Sequence, residues 1–263
     1  GYRYTSRPTT TDALGKLDAD DLLQGGPAVR IAGDVTGGVL LQGANYSSKV
    51  GADGNTVTTT ITSSNTGSSS ISVFGAAPAL QIGSATQDVT LGAVGAGDLA
   101  YGLVAKGAIA AGGVYDKVTA TGVSIGAGGG KTTTLTNGLR NDGTVTATTY
   151  EADATGLILN SGASVGEIRN RGSITATAGS YAGSGVTATA RAVVLGAGSN
   201  TTAINNSGAL IATRTGETGD AVVILDQAGT LKTVTNTGSL RATLSAPAYK
   251  ADGTAVTVTA GGQ

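Results

Sequence analysis

Ile204-Asn205-Asn206-Ser207-Gly208-Ala209-Leu210-Ile211-Ala212-Thr213 is not unique in the chain. Residues 234–243 repeat it with Asn236, Gly238 and Ala242 in the same places, residues 168–177 with Asn170, Gly172 and Ala176, and residues 139–148 with Asn141, Gly143 and Ala147. The template is apolar-x-Asn-x-Gly-x-apolar-x-Ala-Thr. A unit this short cannot bury an apolar face alone; repeated units do so by stacking, which is the logic of a solenoid.

Side-chain alternation along a strand assigns the faces. If Ile204 points inward, so does Asn206, and beyond a corner at Gly208 so do Leu210 and Ala212. Coils stack about 4.8 Å apart. Asn141, Asn170, Asn206 and Asn236 are therefore predicted to form a buried amide ladder, since each amide both donates and accepts. Gly143, Gly172, Gly208 and Gly238 are predicted to be corners that need positive φ. The alanines fit a narrow core. Residues 102–111 carry the same element with Ala105 in place of Asn, while Asn65-Thr66-Gly67 opens a degenerate first copy. Asn137-Gly138, ordinarily a hairpin signal, conflicts with its place at the start of a strand.

A second strand pattern, apolar-x-apolar, is centred on Val29, Leu80, Val123, Leu157, Val193, Val223 and Val256, at spacings of 51, 43, 34, 36, 30 and 33 residues. Together the patterns predict an all-β right-handed parallel β-helix (β-solenoid) of about seven coils. Each coil has three short strands, the handedness following the general preference of crossovers. The helix occupies residues 28–263, with variable loops and an incomplete last coil. Residues 1–27 lie outside the repeat and read as an N-terminal arm or cap, with a short helix over 11–23.

Composition narrows the function classes. Of 263 residues 44 are Gly, charged residues make up 13%, and the net charge is −1; the usual charged share is about a quarter. Scattered basic residues give no footprint for nucleic acid. The absence of Cys and His removes thiol sites and the commonest general base and metal ligand. Only three Glu occur, at 151, 167 and 217, and no pair of acids repeats on one face, so no catalytic residue is assigned and an enzyme is not expected. No cofactor or metal is expected either. The one acidic cluster, Asp18, Asp20 and Asp21, reads as a solvated face before it reads as a Ca²⁺ site. A Thr-x-Thr-x-Thr row at 144, 146 and 148 is nearly matched at 173, 175 and 177 but breaks at Ala209 and Ile211, which disfavours an ice-binding lattice. Tyr150, Tyr181 and Tyr249 follow the Ala-Thr strands of three successive coils and are read as a contact ridge. Tyr2, Arg3 and Tyr4 at one end, and Val256 and Val258 at the other, are read as assembly ends.

The Asn-x-Gly-x-Ile-x-Ala-Thr repeats, with Gly26-Pro-Ala-Val-Arg-Ile-Ala-Gly33 and Ala79-Leu-Gln-Ile-Gly-Ser84, resemble autotransporter passenger domains of Gram-negative bacteria, of the Thr/Ala/Gly-rich type. The resemblance covers residues 26–263. It implies secretion across the outer membrane and an extracellular or cell-surface place, and a sequence opening on Gly1 then reads as a processed piece. The leading expectation is a structural protein whose partners are copies of itself or further coils of a parent chain, building a filament, matrix or coat. The alternative is a monomeric adhesin whose loops bind a carbohydrate or host surface.

Overall fold

The strands expected in each coil form three parallel six-stranded sheets, and the molecule is a parallel β-helix. The computed structural model describes residues 25–43 and 69–250, the backbone of Tyr46–Val50 and Thr56–Thr60, and single residues nearer the ends. The predicted helix over 11–23, Tyr2, Arg3, Tyr4, the acidic cluster and Val258 all lie outside the described residues, Ala13 excepted.

The first sheet runs Val29–Ile31, Leu80–Ile82, Ala120–Ile125, Ala154–Leu159, Ala190–Leu195 and Ala221–Asp226. The second runs Val39–Leu41, Leu103–Ala105, Leu139–Asn141, Glu167–Asn170, Ala203–Asn206 and Thr233–Asn236. The third runs Ser70–Phe74, Ala108–Asp116, Thr144–Tyr150, Ser173–Gly179, Ala209–Thr215 and Ser239–Ser245. Each sheet takes one strand from each coil. Between the first and second sheets, Val89–Leu91, Thr133–Leu135 and Ala163–Val165 add a short corner sheet. Its strands are three residues long, too brief for alternation to reveal in the sequence.

Register follows the repeat. Asn141, Asn170, Asn206 and Asn236 are successive neighbours, as are Ala111, Ala147, Ala176, Ala212 and Ala242. Ala105 pairs with Asn141, as its place in the template requires. Asn137 (φ 56°) and Gly138 (φ 112°) spend their positive-φ capacity on the bend between the corner strand and the second sheet, not on a hairpin. Three expectations are corrected. The second-sheet strand of the first coil is Val39–Leu41, not the Asn65 segment, and Ile71 and Val73 are in register with Ile109 and Ala111. In the sixth coil Ile224, not Val223, pairs with Val193, because Ala221 stacks on Ala190 and Asp226 ends the strand by accepting from the N–H of Ala228 and Gly229, both at 3.0 Å. Ala255 does not begin a seventh first-sheet strand: it bridges Tyr249 in antiparallel fashion, and Val256 N–H donates to Ala248 O at 2.8 Å. Six stacked coils are therefore present among the described residues.

One apolar cluster is shared by all three large sheets, from Ile71 and Leu80 to Ile204, Leu210 and Ala212. Its cross-section is thin. A Cβ at Gly156 would stand 2.6 Å from Ile174 Cγ2, and one at Gly122 would stand 2.6 Å from Val145 Cγ1. Glycine on the first sheet thus makes room for a branched side chain from the third. Loops of different length leave the coil outward, so the register of the core does not depend on them. The longest, between Leu41 and Ser70, carries the antiparallel pair Tyr46–Val50 and Thr56–Thr60.

Candidate functional site

The repeated residues are structural. Asn141 Nδ2 donates to Asn170 Oδ1 at 2.8 Å, Asn170 Nδ2 to Asn206 Oδ1 at 2.7 Å, and Asn206 Nδ2 to Asn236 Oδ1 at 2.7 Å. Each of these amide nitrogens also faces two carbonyls; for Asn170 they are Gly172 O at 3.3 Å and Ala209 O at 3.1 Å. An oxygen in that place would meet only acceptors, so the network itself fixes which way each amide points. Asn141, Asn170 and Asn206 are buried. At the Ala105 break the row ends, and Asn141 Oδ1 is buried without a donor.

The corner glycines are needed for a different reason from the one expected. Gly143, Gly172, Gly208 and Gly238 are absent from the positive-φ residues. Their role is close approach between coils. A Cβ at Gly143 would lie 2.0 Å from Gly107 O, at Gly172 1.9 Å from Gly143 O, at Gly208 2.0 Å from Gly172 O, and at Gly238 2.1 Å from Gly208 O. The corner is a column of glycines with backbone laid against backbone.

Outward positions carry the charge. Arg140 and Arg169 are register neighbours on the second sheet, and like charges one coil apart repel. Arg140 is paired with an acid, and Arg169 reaches one only through a tyrosine hydroxyl. Arg140 grips Asp142 with two bonds, Nε to Oδ1 at 2.9 Å and Nη2 to Oδ2 at 2.8 Å. Its Nη1 reaches the backbone oxygen of Asp98 and, at 3.3 Å, the Asp98 carboxylate. Asp98 rides on the 3₁₀ turn Gly97–Leu99 and also meets Arg171 Nη1 at 3.3 Å. Arg169 donates to the Tyr101 hydroxyl at 3.2 Å, which donates to Glu167 Oε2 at 2.9 Å; Asn205 Nδ2 donates to Glu167 Oε1 at 2.6 Å. Burial pushes the Tyr101 phenol up. A groove of about 260 Å³ beside this network is lined by Glu167, Arg169, Asn205, Asn206, Ser207, Thr235 and Thr237. The network fastens the Asp98 loop onto the sheet, with Arg140 and Arg171 bonded to carboxylates and Arg169 to the Tyr101 hydroxyl.

For Asp98, burial acts to raise the carboxyl, but Arg140, Arg171 and Arg169 together hold it below its ordinary value. A depressed folded-state pKa contributes stability that is present above the unfolded value, about 3.9, and is lost as pH falls through the folded value. Asp98→Asn is therefore expected to lower stability at neutral pH by less than about 1 kcal/mol, because Asp98 is largely exposed. The difference from wild type should shrink in urea titrations as pH falls below the unfolded-state value and through the lowered folded-state one.

The three tyrosines of the expected ridge come together. Tyr150, Tyr181 and Tyr249 line one cleft of about 220 Å³ with Thr148, Thr149, Thr177, Gly179, Ser180, Thr215 and Ala248. They do not come from consecutive coils. Tyr150 ends the third-sheet strand of the third coil, Tyr181 follows that of the fourth, Tyr249 follows that of the sixth, and the fifth supplies Thr215. The loops are fastened to one another. Glu151 Oε1 accepts from Tyr181 N–H at 3.0 Å, Ala182 N–H donates to Tyr249 O at 3.0 Å, and Ser180 N–H donates to Thr215 O at 2.7 Å. Beneath them the guanidinium of Arg214, 2% exposed, donates from Nη2 to Ser180 Oγ at 3.2 Å and to the Thr218 carbonyl. Burial lowers the Arg214 pKa.

Two of these features were missed in the sequence. Arg140-Asn141-Asp142 and Arg169-Asn170-Arg171 flank ladder positions, so parity alone places their charges outside. No pattern, however, links Asp98 to them across 42 residues of chain. Arg214 sits at an inward parity position, which was a readable signal. Of the expected assembly ends, only Val256 is described. Comparison of the chain with protein-family models, curated proteins and solved structures gives no match.

Proposed function

We propose that the chain is a β-helical structural module of an extracellular or cell-surface assembly, and that its last coil is covered coil on coil, by a copy of itself or by further coils of a parent chain. One observation carries this reading. In the sixth coil Val234 and Leu240 stand 47% and 41% exposed at the positions where Ile204 and Leu210 are fully buried, and Leu244 beside them is 64% exposed. The same coil supplies the outermost strand of all three large sheets among the described residues. Its surface thus offers an apolar row framed by open strand edges, which is what each coil inside the chain offers to the next. An open edge is a template for another strand. The outer strands at the opposite end, Val29–Ile31, Val39–Leu41 and Ser70–Phe74, belong to the same parallel sheets, so a copy added in register joins head to tail. A head-to-tail contact that does not close gives filaments.

The surface location in this proposal rests on the resemblance of the Asn-x-Gly-x-Ile-x-Ala-Thr repeats to passenger domains. The reading assigns no catalytic role. Sedimentation velocity and negative-stain electron microscopy of the full chain test it. Rods that lengthen with concentration are expected. Leu240→Glu, which changes an exposed residue and so leaves the fold intact, should weaken association by at least about tenfold. Discrete single rods at every concentration would sink self-stacking and leave further coils of a parent chain as the cover.

A further inference from the structure

We infer that the tyrosine cleft binds a single neutral sugar ring. The inference is independent of stacking, because it rests on loop residues and not on the apolar row of the sixth coil. Three aromatic side chains converge there from segments 31 and 68 residues apart in sequence. Around them stand the hydroxyls of Thr148, Thr177, Ser180 and Thr215, and none of the lining residues is Lys, Arg, Asp or Glu. A charged ligand in this setting would lose water without gaining a counter-charge. A pyranose matches it, since its C–H face lies against aromatic rings while its hydroxyl edge both donates to and accepts from Tyr, Thr and Ser hydroxyls. At about 220 Å³ the cleft is smaller than the pockets that hold drug-sized ligands, a scale that suits one ring rather than a chain of them.

Gly179 points the same way. It pairs with Tyr150 on one side and Thr215 on the other, and it is absent from the positive-φ glycines. A Cβ there would meet only Thr149 O at 3.6 Å and Tyr150 Cδ1 at 3.7 Å, both ordinary contacts. Neither backbone conformation nor coil packing requires glycine at this place, unlike the corner column. What its missing side chain provides is open space over the Tyr150 ring. The site is also built in advance. The bonds from the Tyr181 backbone N–H to Glu151, from Ala182 to Tyr249 and from Arg214 to Ser180 hold the three loops in place, which lowers the ordering cost of binding.

The chain has no Trp and eight Tyr, so tyrosine emission is unmasked. The wild-type chain is titrated, by tyrosine fluorescence and by saturation-transfer NMR, with the methyl glycosides of glucose, galactose and mannose, with N-acetylglucosamine, and with glucuronate as the charged control. Saturable binding of at least one neutral sugar is expected, with glucuronate weaker. Gly179→Ala and Tyr249→Ala should each weaken it by about tenfold or more at an unchanged melting temperature, since Gly179 has room for a methyl and Tyr249 is 56% exposed. The inference is overturned if no neutral sugar saturates up to tens of millimolar, if both variants bind as wild type does, or if glucuronate binds best.

Discussion

Gly208→Ala is expected to destabilise the chain by about 3 kcal/mol or more, at the upper end of what overpacking does. The added methyl meets Gly172 O at 2.0 Å and the Arg171 carbonyl carbon at 2.6 Å. Both are backbone atoms, and they belong to a neighbouring coil held by ladders on three faces, so neither can swing away. Relief requires the coils to separate at the corner, which lengthens the bonds from Gly208 N–H to Asn170 O and from Ala209 N–H to Gly172 O. Thermal melting followed by circular dichroism should fall by roughly 10 °C. A control sets the scale: Gly179→Ala, at the end of a third-sheet strand and with space above it, should leave the melting temperature alone. Equal behaviour of the two variants would mean that the corner column is not the tight point described here.

Asn206→Asp is expected to do comparable damage for an electrostatic reason. The amide nitrogen of Asn206 faces Gly208 O at 3.3 Å, Asn236 Oδ1 at 2.7 Å and Ser239 O at 3.1 Å. A carboxylate puts an oxygen against three oxygens, in a residue only 2% exposed. The loss should be on the order of 3 kcal/mol at neutral pH, since an unpaired buried charge costs more than a lost neutral hydrogen bond. The sign with pH is opposite to that for Asp98. The folded-state pKa of the new acid lies above its unfolded value, so the protonated form is favoured in the fold and the deficit narrows as pH falls toward 4. Asn236→Asp is the companion measurement. Asn236 is exposed, so water solvates the charge and the change should be under about 1 kcal/mol. A melting temperature for Asn206→Asp that is independent of pH would contradict the buried ladder.

Much of this architecture was legible because the repeat constrains two things at once. Asn170 and Asn206 had to share a face with Ile168 and Ile204 by parity, and stacking then had to bring their amides together. The glycines show where legibility stopped. Repetition marked Gly172 and Gly208 as indispensable but could not separate a torsional need from a steric one, because the obstructing carbonyl comes from another coil. The short corner strands escaped for want of length. Val223 was matched with Val193 because valine resembles valine, whereas the fold put Ile224 there and let Asp226 end the strand. The tyrosines were legible as loop residues but not as one cleft, because their meeting depends on how far each loop reaches back along the axis. The partnership of Asp98 with Arg140 has no periodic signal at all.

The amide row has a direction. From Asn141 to Asn236 every side-chain link runs from nitrogen in one coil to oxygen in the next, and at its start an oxygen is left over. Inverting one coil would set nitrogen against nitrogen on one side and oxygen against oxygen on the other. The row is an arrow inside the rod, readable by a neighbour only at the tips. It also acts as a phase mark: a coil slipped by two residues would keep its faces and its backbone bonds yet lose the amide contact. Chains with this core have one correct alignment out of several that the apolar pattern alone would tolerate.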